Sequence, residues 1–131
     1  MVFSDIVTLY NHQPGDTWVR TVIHNAMWKK QAVSSVSSGK VSIGRQITVT
    51  IPADLYKADK KHVKPEVYTD PATEFTLREG VRDYIAHGEA PEITDDFDID
   101  TLLQRYEVGA VQVVADNTAR PRLRHWRVTA V

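Results

Sequence analysis

The segment TWVRTVIHNAMW, residues 17–28, is rich in β-branched and aromatic side chains and predicts one long β-strand. Its apolar residues occupy both alternating sets of positions, with Trp18, Val22, Ala26 and Trp28 on one face and Val19, Ile23 and Met27 on the other. A strand that is apolar on both faces is typical of a position inside a barrel or against a neighbouring subunit. We therefore expect this strand to serve the core and a subunit contact together.

Strand signals recur on both sides of this segment. Residues 5–10 (DIVTLY) precede it across a turn in which Pro14 and Gly15 favour the required dihedrals. Residues 46–52 (QITVTIP) alternate strictly and end at Pro52, because proline cannot donate to a β-ladder. Further strands are predicted over residues 75–77 and 83–87, and over residues 108–115 and 123–131, which form a terminal hairpin.

Three segments between these strands have a different character. Residues 29–45 are polar and Ser-rich and predict a protruding hairpin. Residues 53–73 are charged, contain two prolines and predict a long loop. Residues 101–106 predict a short helix whose N-cap is Asp98 or Asp100. We expect neighbouring subunits or partners to order the hairpin and the loop.

The composition favours one globular domain over residues 1–131. Hydrophobic residues make up 42% and charged residues 25% of the chain, close to the average of globular proteins. With about seven predicted strands and one short helix, the sequence predicts an all-β fold, either a small barrel or a sandwich with long loops.

The net charge and the absence of cysteine argue against several classes of function and site. Lysine and arginine total 16 and aspartate and glutamate total 17, which gives a formal net charge of -1. Nucleic-acid binding driven by overall positive charge is therefore not expected. The chain has 0 cysteines, which excludes disulfides, thiolate metal sites and a cysteine nucleophile. We see no signal peptide at the N-terminus and no apolar run near the roughly 20 residues that span a bilayer, so no membrane association is expected.

The motifs predict neither a metal site nor a catalytic centre. Asp96, Asp98, Asp100 and Glu107 fit ligand positions of a calcium-loop pattern, but Thr101 stands where the turn requires glycine. We interpret the acidic run as the N-terminus of a helix. The histidines show no metal-binding spacing, and the serine-rich segment lacks a nucleophile elbow and a phosphate loop. We predict no cofactor and no enzymatic activity; a small enzyme whose site shows no linear motif stays open as an alternative.

The basic C-terminal segment has three interpretations. Residues 120–127 carry Arg120, Arg122, Arg124, His125 and Arg127 around Trp126. The arginines could bind phosphates while Trp126 stacks on a base, or the segment could be an exposed strand face paired with acidic neighbours. Residues 92–100 supply an equally concentrated negative charge, so the two segments could also bind each other between copies in a head-to-tail ring. We favour self-association or partner docking.

The candidate interface residues are Trp18, Trp28, Lys40, Arg45, Asp95, Asp96, Asp98, Arg120, Arg122, Arg124 and Trp126.

Several segments together resemble small proteins of prophages of Gram-positive bacteria. They are SDIVTLYN at 4–11, DTWVRTV at 16–22 with Trp28, ITVTIP at 47–52, FTL at 75–77, ADN at 115–117 and LRHWRV at 123–128. Those proteins resemble the phage head–tail joining family of β-barrel head-completion or "stopper" proteins. The order of strands and a D-x-x-x-R-like turn at residues 116–120 agree with that family, whereas the charged loop at residues 53–73 departs from it.

The resemblance implies a virion protein without enzymatic activity, assembled in the bacterial host cytoplasm. It implies a hexameric or dodecameric ring in the head–tail connector, between portal and tail. Portal or adaptor proteins and tail proteins would be its partners, and double-stranded DNA would only pass through the channel. A tail terminator or another minor capsid protein is the alternative within this class. An OB-like nucleic-acid-binding module using residues 120–127 is the alternative from another class.

Overall fold

A computed structural model describes residues 3–37 and 39–131, and the side chains of residues 33–37 and 40–43 lie outside the described part. Within these residues the chain forms nine strands, one α-helix and one 3₁₀ helix. In chain order they are β1 (Asp5–Gln13), β2 (Thr17–Ser37), β3 (Lys40–Pro52), β4 (Lys57–Ala58), β5 (Lys61–His62), the 3₁₀ helix (Pro65–Val67), β6 (Glu74–Phe75), β7 (Tyr84–His87), α1 (Ile99–Arg105), β8 (Val108–Asn117) and β9 (His125–Ala130).

Six of the strands close into a barrel. The hydrogen-bonded order is β1-β7-β8-β9-β3-β2, and β2 returns to β1, with every pair antiparallel. Strand β4 adds to β2 outside this closed wall. The prediction of a mainly-β fold with one short helix is therefore confirmed, and the architecture is a barrel rather than a sandwich.

A bulge in β2 changes which of its side chains point inward. Val7 pairs with Ile23 and Asp5 pairs with Ala26, so β2 contains one extra residue between the two pairs. Asn25 sits in this bulge with a φ of 61°, a left-handed conformation that asparagine tolerates better than most residues. Ile23 and Ala26 consequently both face the core and are 0% exposed. The prediction that they lie on opposite faces was wrong, because alternation does not continue through a bulge.

The barrel interior holds the main core. Its buried members are Val7, Leu9, Ile23, Ala26, Ile47, Val49, Ile51, Phe75, Leu77, Ile85, Val111, Val128 and Ala130. A second cluster lies outside the wall, where the segment from Ala90 to Val108 packs α1 against β1 and β7. Leu102 of α1 is fully buried there, together with Tyr10 and Ala86 of the barrel wall. The protein thus has a filled barrel with one covered outer face.

Residues 53–73 pack onto their own barrel. Tyr56 and Ala58 contact the main core, and β5 pairs in parallel with β6. Contacts within the chain therefore order this segment, whereas we expected subunits or partners to do so. The strand predicted at residues 75–77 also differs in extent, because β6 covers only Glu74–Phe75 and pairs with β5.

The remaining elements follow the sequence closely. Helix α1 begins after Asp98, whose side chain accepts a hydrogen bond from the Thr101 amide, so the predicted N-cap is confirmed. Strands β8 and β9 form the terminal hairpin. Strands β2 and β3 pair as far as Ser37 and Lys40, which makes the segment predicted as a hairpin the distal part of a longer two-stranded ribbon.

Gly109 of β8 provides a test of the packing in the barrel. A Cβ at this position would lie 2.6 Å from the Ala130 Cβ and 3.0 Å from the Ile47 Cδ1. We expect Gly109→Ala to lower the free energy of unfolding by about 1–3 kcal/mol, because a filled core does not accept another methyl group. Urea unfolding monitored by tryptophan fluorescence measures this loss.

Gly44 of β3 is the matched control for this substitution. A Cβ at Gly44 meets no heavy atom within 4 Å, so Gly44→Ala should leave the free energy of unfolding unchanged or raise it slightly. Equal unfolding midpoints for the two variants would contradict the close packing of β8 against β9.

Candidate interaction surfaces

A broad groove runs over the outer face of β2, β3 and β9 and encloses about 770 Å³. Strand pairing explains its floor, because residues directly opposite each other in paired strands point to the same side. Met27, Thr50 and Arg127 form one row across the three strands. Lys29, Thr48 and Thr129 form a second row. The inward neighbours of these residues, such as Val49 and Val128, belong to the core.

Two exposed leucines lie at one end of the groove, where β3 ends and β9 begins. Leu55 follows β3 and is 58% exposed, and Leu123 precedes β9 and is 79% exposed. Leu123 has a φ of 54°, so the backbone holds it in a conformation that leucine rarely adopts. Exposed apolar side chains beside a concave surface are typical of a site that another molecule covers.

The groove is electropositive. Lys29, Arg124 and Arg127 line it together with His125, and Asp54 is the acidic residue on the described part of its lining. Asp54 is already paired, because Arg124 approaches its carboxylate to 3.4 Å. The sequence contains no acidic residue between positions 17 and 53 or between 117 and 131, which include all three strands of this face. A net charge close to zero for the whole chain therefore conceals a basic face.

An acidic surface covers a different part of the barrel. The carboxylates of residues 92–100 lie on the segment that packs α1 against β1 and β7. Asp95 and Asp96 are the central residues of a turn that closes on itself: the Thr94 amide donates to the Phe97 carbonyl at 2.9 Å, and the Phe97 amide donates to the Thr94 carbonyl at 3.2 Å. Both aspartates are exposed at the tip of this turn.

Partly buried hydrogen bonds hold the residues just before the acidic segment to the barrel. The Tyr10 hydroxyl donates to the Pro91 carbonyl at 2.7 Å, and the Arg20 guanidinium donates to the Ala90 carbonyl at 2.6 Å. Asp98 is fixed as the helix cap, and the hydrogen bond from the Thr101 amide holds the pKa of its carboxyl below the ordinary value. The acidic turn is therefore presented by a rigid support.

The two surfaces lie on opposite walls of the barrel. The groove is centred on β3, between β9 and the second half of β2, whereas the acidic segment packs on β1 and β7 and its turn lies beside Thr17 and Trp18 at the start of β2. In the closed order of six strands, two strands separate β7 from β3 in either direction. The basic and acidic surfaces therefore face away from each other.

The three tryptophans predicted as interface residues contribute to packing within the chain. Trp18 donates from Nε1 to the Arg82 carbonyl at 2.9 Å. Trp28 donates to Glu107 at 2.6 Å. Trp126 packs against the main core, with its ring centroid 4.4 Å from that of His62. All three rings are partly exposed, and Trp18 also lines a shallow pocket beside Asp95.

The predicted charged residues are dispersed. Asp95, Asp96 and Asp98 lie together on the acidic surface, and Arg124 lies in the groove. The side chain of Lys40 lies outside the described residues. Arg45 donates to the Val108 carbonyl at 2.7 Å, and Arg120 and Arg122 are exposed on the loop between β8 and β9.

The sequence analysis named Arg127 in the basic C-terminal segment but did not predict that Lys29, Leu55 and Leu123 lie in the same groove. Lys29 follows Trp28 and Arg127 precedes Val128, and both of these neighbours pack against the core. Alternation along a strand therefore places Lys29 and Arg127 on the outer face, but it does not show that they are close to each other. Only the pairing of β3 with both β2 and β9 makes them neighbours across one face.

The described residues show no cluster suited to a metal ion. No group of three or more His, Asp or Glu side chains is arranged to hold one in residues 3–37 and 39–131. Glu107, one of the carboxylates in the calcium-loop pattern, accepts hydrogen bonds from Lys30 and Trp28, which keep its pKa below the ordinary value. Over the same residues, no helix combines the length and apolarity needed to cross a lipid bilayer.

His62, which packs between Phe75 and Trp126, should make the folding stability depend on pH. Burial between Phe75 and Trp126 lowers the pKa of His62, and the nearby Asp116 carboxylate opposes this only in part. Because the charged imidazolium is disfavoured in the folded state, stability should fall as pH drops from about 6.5, the ordinary value of the unfolded chain, towards the lower folded pKa. Above that window the contribution of His62 is absent.

We expect His62→Phe to reduce the loss of stability between pH 7.5 and pH 5, because phenylalanine keeps a ring in the pocket and does not titrate. Thermal unfolding at several pH values measures this difference. His24, which is exposed on β2, is the control, and His24→Gln should follow the pH profile of the unaltered protein. Parallel profiles for His62→Phe and the unaltered protein would contradict the assigned role.

Comparison with known proteins yields a family but no characterised relative. No curated protein and no solved structure matches the chain significantly. Residues 3–131 match the sequence model described as "Family of unknown function (DUF6751)". This match extends over all nine strands and the helix, from the first strand of the barrel to the last. The chain therefore belongs to the DUF6751 family.

Proposed function

We propose that this protein is a bacteriophage structural protein of the head–tail connector, in which copies associate head to tail in a ring between portal and tail. The observation that carries this proposal is the pair of oppositely charged surfaces on opposite walls of one barrel. Such an arrangement suits association between copies, since each copy offers both halves of a complementary contact.

The positions of the two surfaces favour a head-to-tail contact over a two-fold dimer. In a two-fold dimer each subunit uses one and the same patch, which places like charges of this protein close together. A head-to-tail contact pairs unlike surfaces and leaves one of each kind free at the ends, so the contact repeats from copy to copy. Such a series closes into a ring where the rotations between copies add up to a full turn, and otherwise it continues as an open filament.

The closed wall also favours contacts through side chains. Six strands pair around the barrel, so its closed part presents no edge for an added strand, although β4 adds to β2 and the distal ribbon of β2 and β3 extends beyond the pairing with β1 and β9. The outer faces of the closed wall and the segments packed on it make contacts through side chains. The groove and the acidic turn are such features.

The sequence resemblance to head–tail joining proteins supplies the biological setting of the proposal. A tail terminator or a minor capsid protein would use the same kind of ring, and the charged surfaces do not distinguish these positions in the particle. The genes that flank the gene of this protein provide a direct check. Adjacent genes for a portal protein and a major capsid protein support the connector, whereas an unrelated neighbourhood argues against it.

An OB-like nucleic-acid-binding module is the second candidate, and the basic groove is the observation that favours it. Sites for single strands combine cations with exposed aromatic rings on which the bases stack. The described tryptophans are instead engaged within the chain and do not line the groove, which leaves the partly buried Phe3 and His125 as the rings in its lining. The lining therefore fits an acidic protein surface better than a strand of bases.

Sedimentation equilibrium tests the assembly. We expect the average mass to rise with protein concentration at low ionic strength and to pass the mass of a dimer. We expect the assembly to dissociate near 1 M salt, where the Debye length is about 3 Å. Negative-stain electron microscopy of the assembled fraction should show annular particles.

The opposite results would reject the proposal. A chain that stays monomeric over the whole concentration range contradicts head-to-tail assembly. If that monomer also binds single-stranded DNA, with an affinity that falls steeply as salt increases, the nucleic-acid-binding module is the better account.

A further inference from the structure

We propose that the groove on β2, β3 and β9 is the acceptor site for the acidic turn of residues 94–97 of the next copy. The assignment rests on the proposed head-to-tail assembly and names the two surfaces that would touch. Its occupant is a second copy of this chain, chosen because the charges and the apolar side chains of the two surfaces are complementary.

The charges on the two surfaces are available for a contact. Within the described part of the chain, Asp95 and Asp96 have no cationic partner within 4.0 Å. By the same criterion, Lys29 and Arg127 of the groove have no carboxylate partner. Contact between the turn and the groove would therefore form new ion pairs without breaking existing ones.

Both surfaces also carry apolar side chains beside their charges. Ile93 and Phe97 flank the two aspartates, and both are half-buried against the second cluster. Leu55 and Leu123 are exposed at the end of the groove where Ala53 donates to the Arg124 carbonyl. Docking would therefore remove the two leucines from water while it pairs the charges.

The support of the turn reduces the cost of docking. Reciprocal hydrogen bonds close residues 94–97, and the barrel holds the preceding residues through Tyr10 and Arg20. A loop that already has its bound shape loses little conformational entropy on association. The turn can therefore enter the groove as a rigid projection.

Two double variants reverse the charges on the two surfaces. The groove variant is Lys29→Glu with Arg127→Glu, and the turn variant is Asp95→Lys with Asp96→Lys. These four side chains are exposed and take no part in the helix cap or the core, so both variants should keep the circular dichroism spectrum and unfolding midpoint of the unaltered protein. Each variant alone should self-associate about a hundredfold more weakly, because like charges then face each other.

Mixing the two variants is the decisive measurement. The acidic groove of one variant accepts the basic turn of the other, and the basic groove of the second accepts the acidic turn of the first. An equimolar mixture should therefore assemble with an affinity close to that of the unaltered protein. Sedimentation velocity of each variant and of the mixture reports this directly.

Matched charge reversals outside the two surfaces serve as controls. Lys61→Glu and Glu66→Lys each reverse one exposed charge on the segment between β4 and β6. Both should leave self-association unchanged. Equal weakening by these controls would indicate a general effect of charge and would overturn the assignment.

The outcomes separate this inference from the proposed function. If the unaltered protein assembles and neither double variant alters assembly, the ring stands and the assigned surfaces are wrong. If the mixture does not assemble although each variant is folded and monomeric, the pairing of groove with turn is also wrong. If the unaltered protein stays monomeric, both proposals fail; loss of single-stranded DNA binding in the groove variant would then assign the groove to nucleic acid.

Discussion

The barrel closes because one strand, β2, pairs with two different neighbours along its length. Its first half pairs with β1 and its second half pairs with β3, and the bulge at Asn25 lies between the two halves. The extra residue bends the strand and resets the alternation, so that Ile23 before the bulge and Ala26 after it both reach the core. The Asn25 side chain donates to the Leu55 carbonyl, which ties the bend to the end of β3. Without this bend, β2 could satisfy only one of its neighbours.

Closure also depends on a buried polar network beside the core. Asp83 is 1% exposed, and its carboxylate accepts hydrogen bonds from the Asn11 side chain, the His12 amide and the Arg78 guanidinium. Asn11 in turn exchanges hydrogen bonds with the backbone of Thr76. A carboxylate removed from water is tolerated only when it is paired and hydrogen-bonded. The bonds from Asn11 and His12 join the connection before β7 to β1, and the bond from Arg78 lies within that connection. Asp83 therefore helps to fix where β7 enters the wall.

The sequence predicted local structure well and distant neighbours poorly. Alternation located β1, β3 and the terminal hairpin, and an aspartate before an apolar stretch located the cap of α1, because these signals lie within a few residues of each other. The bulge in β2 was not predicted, because nothing in the sequence of the strand indicates that Asn25 adopts a left-handed conformation. The groove was not predicted for a different reason. Lys29 and Arg127 lie far apart in the chain, and they come onto one face only because β3 pairs with both β2 and β9. The packing of residues 53–73 onto the core was likewise a long-range result.

The order of the strands explains how a nearly neutral chain forms one basic side and one acidic side. The acid-free stretches of the sequence contain β2, β3 and β9, which are adjacent in the wall although β9 is distant in the chain. The acidic stretch lies between β7 and α1, which pack on the opposite wall. Closing the barrel therefore converts a segregation of charge along the sequence into a separation of charge across the molecule. Charges separated in this way cannot neutralise each other within one copy, so each side keeps a net charge of one sign.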